Sequence, residues 1–397
     1  MTDLNYRAIP ETDLEQYIRV DTKSFTQTPQ EARDWLDQPR ERELRALYRG
    51  DQIVTQTTLF PLKLSTGAAE LPFCGLAGAA TPPEERRQGH VVRLLREVCD
   101  ELVARGTPLC MLYPFKTSFY GQYGWATVAE RRLYSGAPQL FSPFRSQRRG
   151  RWEQAGHEAI PVLDQMYRAA MRGRFGPFVR SEDWWRTDVF NGSPAVERFG
   201  YIWRDEQGSP RAYLLYRLGD VGDTNTLICR EIVALDPDAY VQVFAFLAQH
   251  EGQVKAVSFR APSDVPINLL MPNPLGCELE LQSMLRLLDV AAVLSGYGYP
   301  PDARGRLAIA VADAWLAHNQ GVFELEVGDG VAQCLRLPDG APPDLSCDVR
   351  ALTQIVSRYV HPRTAAAFGL LTVHSQPALA LAETFFAGFA PFASDSF

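Results

Sequence analysis

Apolar and polar positions change period several times along the first third of the chain. Thr12 and Glu15 have the three-residue spacing of a capping box ahead of Leu14, Tyr17 and Ile18, which predicts a helix start. Thr28-Pro29-Gln30-Glu31 repeats that signal with proline at the first helical position, and the helix it opens carries Trp35. Leu44, Ala46 and Tyr48 then alternate with polar residues up to Gly50-Asp51, predicting a hairpin with a return strand over 53–59. A further strand is predicted over 73–80. Val91, Leu94, Leu95, Val98 and Leu102 recur at helical spacing, with Gly106 as the C-cap. Leu109-Cys110-Met111-Leu112-Tyr113 reads as a buried strand stopped by Pro114.

A chain of 397 residues is long for one hydrophobic core and predicts two or three domains. Arg145 to Arg151 is basic and polar, as a connector would be. An aromatic-rich region follows, with Trp184-Trp185 and a helix around Tyr240 to His250. From Ser283 the composition shifts to alanine and leucine, with Gly and Pro clusters at 296–301 and 338–343. These changes predict domains over 1–145, 146–282 and 283–397.

The formal charge of −7 argues against a nucleic-acid partner, which needs clustered Lys and Arg. It suits a cationic substrate and equally suits mere solubility. The seven cysteines form no CxxC pair and the six histidines no HExxH, so no metal site is expected and the thiols read as reduced, in a cytoplasmic protein. Neither a leader peptide nor an apolar run of about 18 residues stands out, so no membrane span is expected.

The segment Arg86-Arg87-Gln88-Gly89-His90-Val91-Val92 carries the clearest chemistry. It joins a predicted strand to a predicted helix, so its backbone N–H groups would be unpaired donors at a helix N-terminus. Such a terminus binds a pyrophosphate through oriented amides and the helix dipole. Gly89 lets the backbone approach the anion, and Arg86 and Arg87 add charge. Downstream stands Phe119-Tyr120-Gly121-Gln122-Tyr123-Gly124-Trp125.

These residues resemble two signatures of the GCN5-related N-acetyltransferases (GNAT superfamily). Arg86 to Val91 is similar to the [Q/R]xxGx[G/A] motif, departing from it at Val91. Phe119 to Trp125 is similar to an FYxxxGF signature that carries an acid tyrosine. Ala79-Ala80-Thr81-Pro82 and Leu285-Arg286-Leu287-Leu288-Asp289-Val290 extend the resemblance to the enhanced intracellular survival (Eis) family, touching the first and third domains. The resemblance implies tandem GNAT folds, the second degenerate, followed by a sterol carrier protein-like α/β domain. It implies acetyl-CoA as co-substrate, contacted by Ala79, Ala80, Thr81, Arg87, Gln88, Gly89, His90, Val91, Val92, Phe115 and Lys116. It further implies Tyr120 as general acid, the Phe397 carboxylate as general base, amine acceptors such as aminoglycosides or lysine-like groups, and a homohexamer.

Several residues admit a second reading. Tyr120 could be an ordinary core tyrosine, and Tyr123 is the alternative proton donor. Phe385, Phe386, Phe389, Phe392 and Phe397 crowd the tail. Burying each is worth roughly 2 kcal/mol, so the tail is expected to dock, whether for structure, assembly or catalysis. An α-carboxylate is a weak base in water, and desolvation by apolar rings would strengthen it. Asp21, Phe25 and Trp35 fall where the superfamily binds the acceptor, and Asp21 could orient a cationic amine. Trp184 and Trp185 are expected in the second domain's core. The competing function is a non-catalytic coenzyme- or lipid-binding scaffold.

Overall fold

The computed structural model describes residues 4–191, 198–329 and 331–397. The chain forms two compact units. One runs to Val128, resumes over Ser283–Ala387 and takes in Phe397; the other comprises Ala129–Gln282 and Gly388–Ser396.

The first unit opens with β1 (Leu4–Ala8), α1 (Leu14–Thr22), α2 (Pro29–Leu36), β2 (Glu43–Arg49), β3 (Gln52–Thr66) and β4 (Glu70–Ala80). It continues through α3 (His90–Ala104), β5 (Leu109–Leu112), α4 (Thr117–Gly121) and β6 (Ala126–Thr127). The Thr28 box forms: Glu31 N–H donates to the Thr28 hydroxyl at 3.2 Å and Thr28 N–H to the Glu31 carboxylate at 2.7 Å. The Thr12 box does not. A tight 3₁₀ turn over Glu11–Asp13 starts behind Pro10, so Thr12 lies inside that turn and Asp13 caps α1 without a side-chain bond. Gly50, at φ +59°, makes the turn into β3, which runs on past Leu59 because Phe60 and Leu64 still bury their side chains. Leu94, Leu95, Val98 and Leu102 of α3 pack on Leu59, Leu76 and Leu112 in one core.

Two irregularities open the sheet. Thr58 faces Ala77 and Gln56 faces Ala80, so β4 carries one extra residue there, a bulge turned by Gly78 at φ +58°. The carbonyls beside it are taken by β3 side chains, Thr57 Oγ1 to Ala77 O at 2.9 Å and Thr55 Oγ1 to Ala80 O at 3.0 Å. β4 and β5 pair in parallel only from Cys74↔Cys110 to Leu76↔Leu112.

The second unit contains β7 (Glu130–Gly136), β8 (Arg151–Gln154), β9 (Phe175–Phe178), β10 (Phe199–Arg204), β11 (Pro210–Val221), β12 (Thr224–Ala234), β13 (Ala256–Pro262) and β14 (Gly276–Leu281). Its seven-stranded sheet has the order β14-β7-β13-β12-β11-β10-β8. The helix Pro237–Leu247 covers one face over a core that includes Tyr134, Leu214, Tyr216, Phe244 and Phe259. Residues 129–145, expected with the first domain, lie here because β7 is needed between β13 and β14. Trp184 and Trp185 are buried in this unit, their indole N–H groups on Asp395 and Asp164 at 3.0 and 2.9 Å.

The chain returns to the first unit as β15 (Met284–Leu287), which pairs antiparallel with β5 and completes its sheet in the order β1-β2-β3-β4-β5-β15-β6. The segment expected to begin the third domain therefore supplies the strand that buries β5's free edge. A five-stranded sheet follows, from β16 (Gly305–Ala312), β17 (Gly321–Gly328), β18 (Val331–Arg336), β19 (Leu345–Asp348) and β20 (Leu371–Val373), ordered β18-β17-β16-β19-β20. Arg286 of β15 is fully buried and pairs with Asp313 at 2.5 Å.

Candidate active site

The β4–α3 connection has the geometry of an anion seat. Arg87 sits at φ +60° and Gly89 at φ +80°, so the backbone curls twice before α3 begins. Gly89 is the N-cap and offers no side chain; the first amide taken up by the helix is Arg93 N–H, on Gly89 O at 3.1 Å. The amides of His90, Val91 and Val92 thus point out of the helix start without helical acceptors. A Cβ on Gly89 would meet nothing within 4 Å, so an anion can approach. Arg86 braces the loop through Thr81 O at 2.9 Å, and Arg87 and Gln88 are exposed. His90 turns its imidazole inward, onto Glu85 at 3.1 Å, where Arg49 also forks onto Glu85 and holds its carboxyl below the ordinary range. His90 therefore offers the seat its amide alone. Thr81 lies just ahead of the loop, its hydroxyl on Thr55 at 2.8 Å. Ala79 and Ala80 follow the Gly78 bulge.

Tyr120, on α4, is buried with its ring edge-on to Phe119 and Phe115 at 5.1 and 5.6 Å. Burial pushes its phenol up to about 12, and the hydroxyl has no hydrogen-bond partner among the described residues. Phe115 is 76% exposed, and Lys116 beside it is exposed at the start of α4. Tyr123 instead packs edge-on to Trp315 at 4.3 Å.

Phe397 occupies a cup lined by Phe60, Phe73 and Tyr113, at ring separations of 5.8, 6.3 and 5.0 Å. Its floor is Gly75: a Cβ there would lie 2.8 Å from the Phe397 ring. Gly75 and Tyr113 flank the last paired residues of β4 and β5, so the ring stands where those strands part. Phe60 passes the contact on to Trp35 at 6.0 Å, and Arg42 lies over the Trp35 ring at 4.6 Å.

Asp21, near the end of α1, is 6% exposed. Burial raises its carboxyl to about 6, against the partial relief of a bond from Gln27. Phe25 is exposed beside it, with its amide on Asp21 O at 2.8 Å. The structure thus gathers Trp35, Phe60, Tyr113 and Phe397 in one packed series, and residues 79–92 along the end of β4, the loop after it and the start of α3. Asp21 and Phe25 form a separate pair. Sequence reasoning missed Gly75, Gly78 and Phe60. A signal was available, since isolated glycines inside a strand mark a bulge or a close approach.

Among the described residues no group of three potential metal ligands gathers, and no helix is long and apolar enough to cross a membrane. Comparison with known proteins agrees with the tandem architecture. Residues 5–128 and 176–287 each match a model described as acetyltransferase (GNAT) domain, and 290–394 match a sterol carrier protein domain. The chain is 25% identical over 318 residues to the N-acetyltransferase Eis of Mycobacterium tuberculosis, covering 76% of this chain and 75% of that one. Among solved structures, a GCN5-related N-acetyltransferase from Anabaena variabilis superposes with a TM-score of 0.88 at 21% identity, covering 100% of both chains. Eis1 from Mycobacterium abscessus does so at 0.79 and 21%, again over 100% of both.

Proposed function

This chain belongs to the GNAT acetyltransferases, with the domain order of their Eis-like members, and from that premise we propose that it transfers acetyl from acetyl-CoA to a primary amine by direct attack. The observation that carries the proposal is the open, glycine-capped start of α3 directly after a bulged strand. The amides of Gly89 to Val92, with Arg87 and Gln88 alongside, fit a pyrophosphate. Phe115 and Lys116 flank the pantetheine side on the family pattern. Acetyl-CoA, once bound, supplies an activated thioester.

The chain's own groups do the rest. On the family pattern, backbone N–H groups beside the Gly78 bulge, at Ala79–Thr81, polarise the thioester carbonyl. The Phe397 carboxylate accepts the ammonium proton so that the amine can attack. Its ring, pinned over Gly75, fixes where that carboxylate stands. Tyr120, protonated through neutral pH and without a competing acceptor, donates to the departing thiolate. Asp21, Phe25 and Trp35 line the acceptor side, with Asp21 attracting a cationic amine such as an aminoglycoside or a lysine side chain. The family resemblance adds a cytoplasmic homohexamer, which sedimentation equilibrium would test. Thiol release from acetyl-CoA across a panel of aminoglycosides, polyamines and lysine peptides tests the reaction itself. Amine-dependent release is expected, and release no faster than hydrolysis for every amine would overturn the proposal.

A further inference from the structure

The second unit has a cavity of its own, of about 540 Å³. It lies where β12 and β13, paired only from Thr226↔Ala256 to Ile228↔Ser258, run apart. β12 is bulged there too: Tyr216 faces Cys229 and Leu215 faces Glu231, which leaves Arg230 as the extra residue.

The lining is unusual in sign. On the sheet face away from the aromatic core, four neighbouring strands each present one arginine: Arg131 of β7, Arg260 of β13, Arg230 of β12 and Arg217 of β11. Arg174 and Arg198 line it as well. Among the described lining residues, Glu231 alone is acidic, and it is already engaged. It accepts from Arg180 at 2.6 and 2.9 Å, from Tyr213 at 2.5 Å and from Ser394 at 2.5 Å. Burial opposes its charge, but Arg180 outweighs burial and holds it well below the ordinary carboxylate range. Arg131 and Arg260 share a single carboxylate, Glu280. Arg230 donates to the Ser394 carbonyl and stands 3.7 Å from Asp395, which Arg180 also holds. The Arg217 side chain makes no ion pair or hydrogen bond with a described residue.

We propose that this cleft is a binding site for a small organic anion, a carboxylate or a phosphate ester, held by Arg217, Arg230, Arg260 and Arg131. Its volume falls in the range of small-molecule pockets, about 300–1,000 Å³. Low-dielectric walls in which cations outnumber carboxylates concentrate a field that attracts anions. Guanidinium forks match the two-oxygen geometry of carboxylate and phosphate. A cationic amine has the wrong charge, so the acceptor of the transfer reaction is excluded as occupant. The helix that follows β12 offers no open start of the Gly89 kind, since the Asp236 carboxylate accepts from Ala239 N–H at 2.8 Å, so the arginines alone would hold the anion.

Calorimetry on the full chain tests this, with coenzyme A saturating so that the Gly89 turn is occupied. The probes are citrate and glycerol 3-phosphate. Saturable one-to-one binding of either probe is expected, and the probe that binds identifies the anion class. Arg217→Gln, which breaks no existing pair, and Arg260→Gln should each weaken it about tenfold or more, the scale of a lost charged hydrogen bond. Arg350→Gln, a change at an exposed arginine of the other unit, should leave it intact. The proposal is overturned if neither probe gives saturable heat, or if Arg217→Gln and Arg260→Gln bind as the unmodified chain does. It also fails if Arg350→Gln weakens binding equally.

Discussion

The two GNAT copies share a backbone device and differ in what they place on it. In each, a long strand carries one extra residue opposite its antiparallel neighbour, and the following parallel strand pairs over three residues before departing. In the first copy the extra residue falls at a glycine, and the next helix begins at Gly89 with its amides open. In the second it falls at Arg230, and the next helix begins at Asp236-Pro237-Asp238, with a carboxylate already on its amides. The splayed cleft is therefore a property of the fold, and on the proposed reading the side chains at the helix start decide whether a pyrophosphate can use it. Charge has been redistributed accordingly: cations at the turn in the first copy, cations on the sheet in the second.

The comparison breaks most visibly at Gly89. Gly89→Glu should abolish measurable acetyl-CoA affinity by calorimetry, because it gives the first copy the carboxylate of the second. Gly89→Ala imposes similar strain at φ +80° without the charge and should retain weakened binding. Asp238→Ala in the second copy should change coenzyme affinity not at all. Wild-type affinity in a folded Gly89→Glu protein would remove the turn from the site.

The next largest effect concerns the aromatic cup around Phe397. Deleting Phe397 moves the terminal carboxylate by roughly 3.5 Å. Displacements of about 1 Å can already cost 10²-fold, so turnover should nearly vanish while coenzyme affinity persists. An N-terminal tag should leave rates unchanged and a tag after Phe397 should not. Equal rates for the two tagged proteins would leave the tail a structural plug. Tyr120→Phe should lower kcat by about 10²-fold with coenzyme affinity retained. Tyr123→Phe should do far less, since Tyr123 is engaged with Trp315; the reverse result would exchange their roles.

Asp21 gives the smallest effect and a pH signature. With its carboxyl raised to about 6 from an ordinary 3.8, it is neutral below that pH and charged above it. KM for a cationic acceptor should therefore fall as pH rises through 6, and Asp21→Asn should flatten the profile and raise KM above it roughly two- to fivefold. The linked stability change has the opposite sense: a raised carboxyl favours the protonated native state, so native stability declines as pH climbs from about 4 to 6 and the asparagine variant escapes that decline. A pH-independent KM in the unmodified protein would detach Asp21 from the acceptor.

Much of the first site was legible because its parts are local. A strand, a glycine turn and an amphipathic helix lie within 73–104, and each declares itself by period or by residue type. What stayed hidden depends on distant pairing. Nothing near Met284–Leu287 says that those residues close a sheet alongside Leu109–Leu112, because a buried strand looks the same at any position in the chain. The arginines at 131, 217, 230 and 260 are scattered in sequence and meet only through strand register. The Thr12 capping box failed for a local reason that could have been read, the proline two residues before it.

The docked tail has a kinetic consequence. Residues Gly388–Ser396 are held in the second unit by Arg174, Arg180 and Trp184, across sequence separations of 216, 215 and 211 residues. Loops of that length close late, after the sheet and helices that form the receptor exist. Phe397 follows directly on that segment, so its arrival over Gly75 belongs to the final stage of folding. In a refolding time course, tryptophan fluorescence should recover first and acetyl transfer should lag behind it. If the Phe397 carboxylate is the base proposed above, the species between the two should be compact, able to hold coenzyme and catalytically silent.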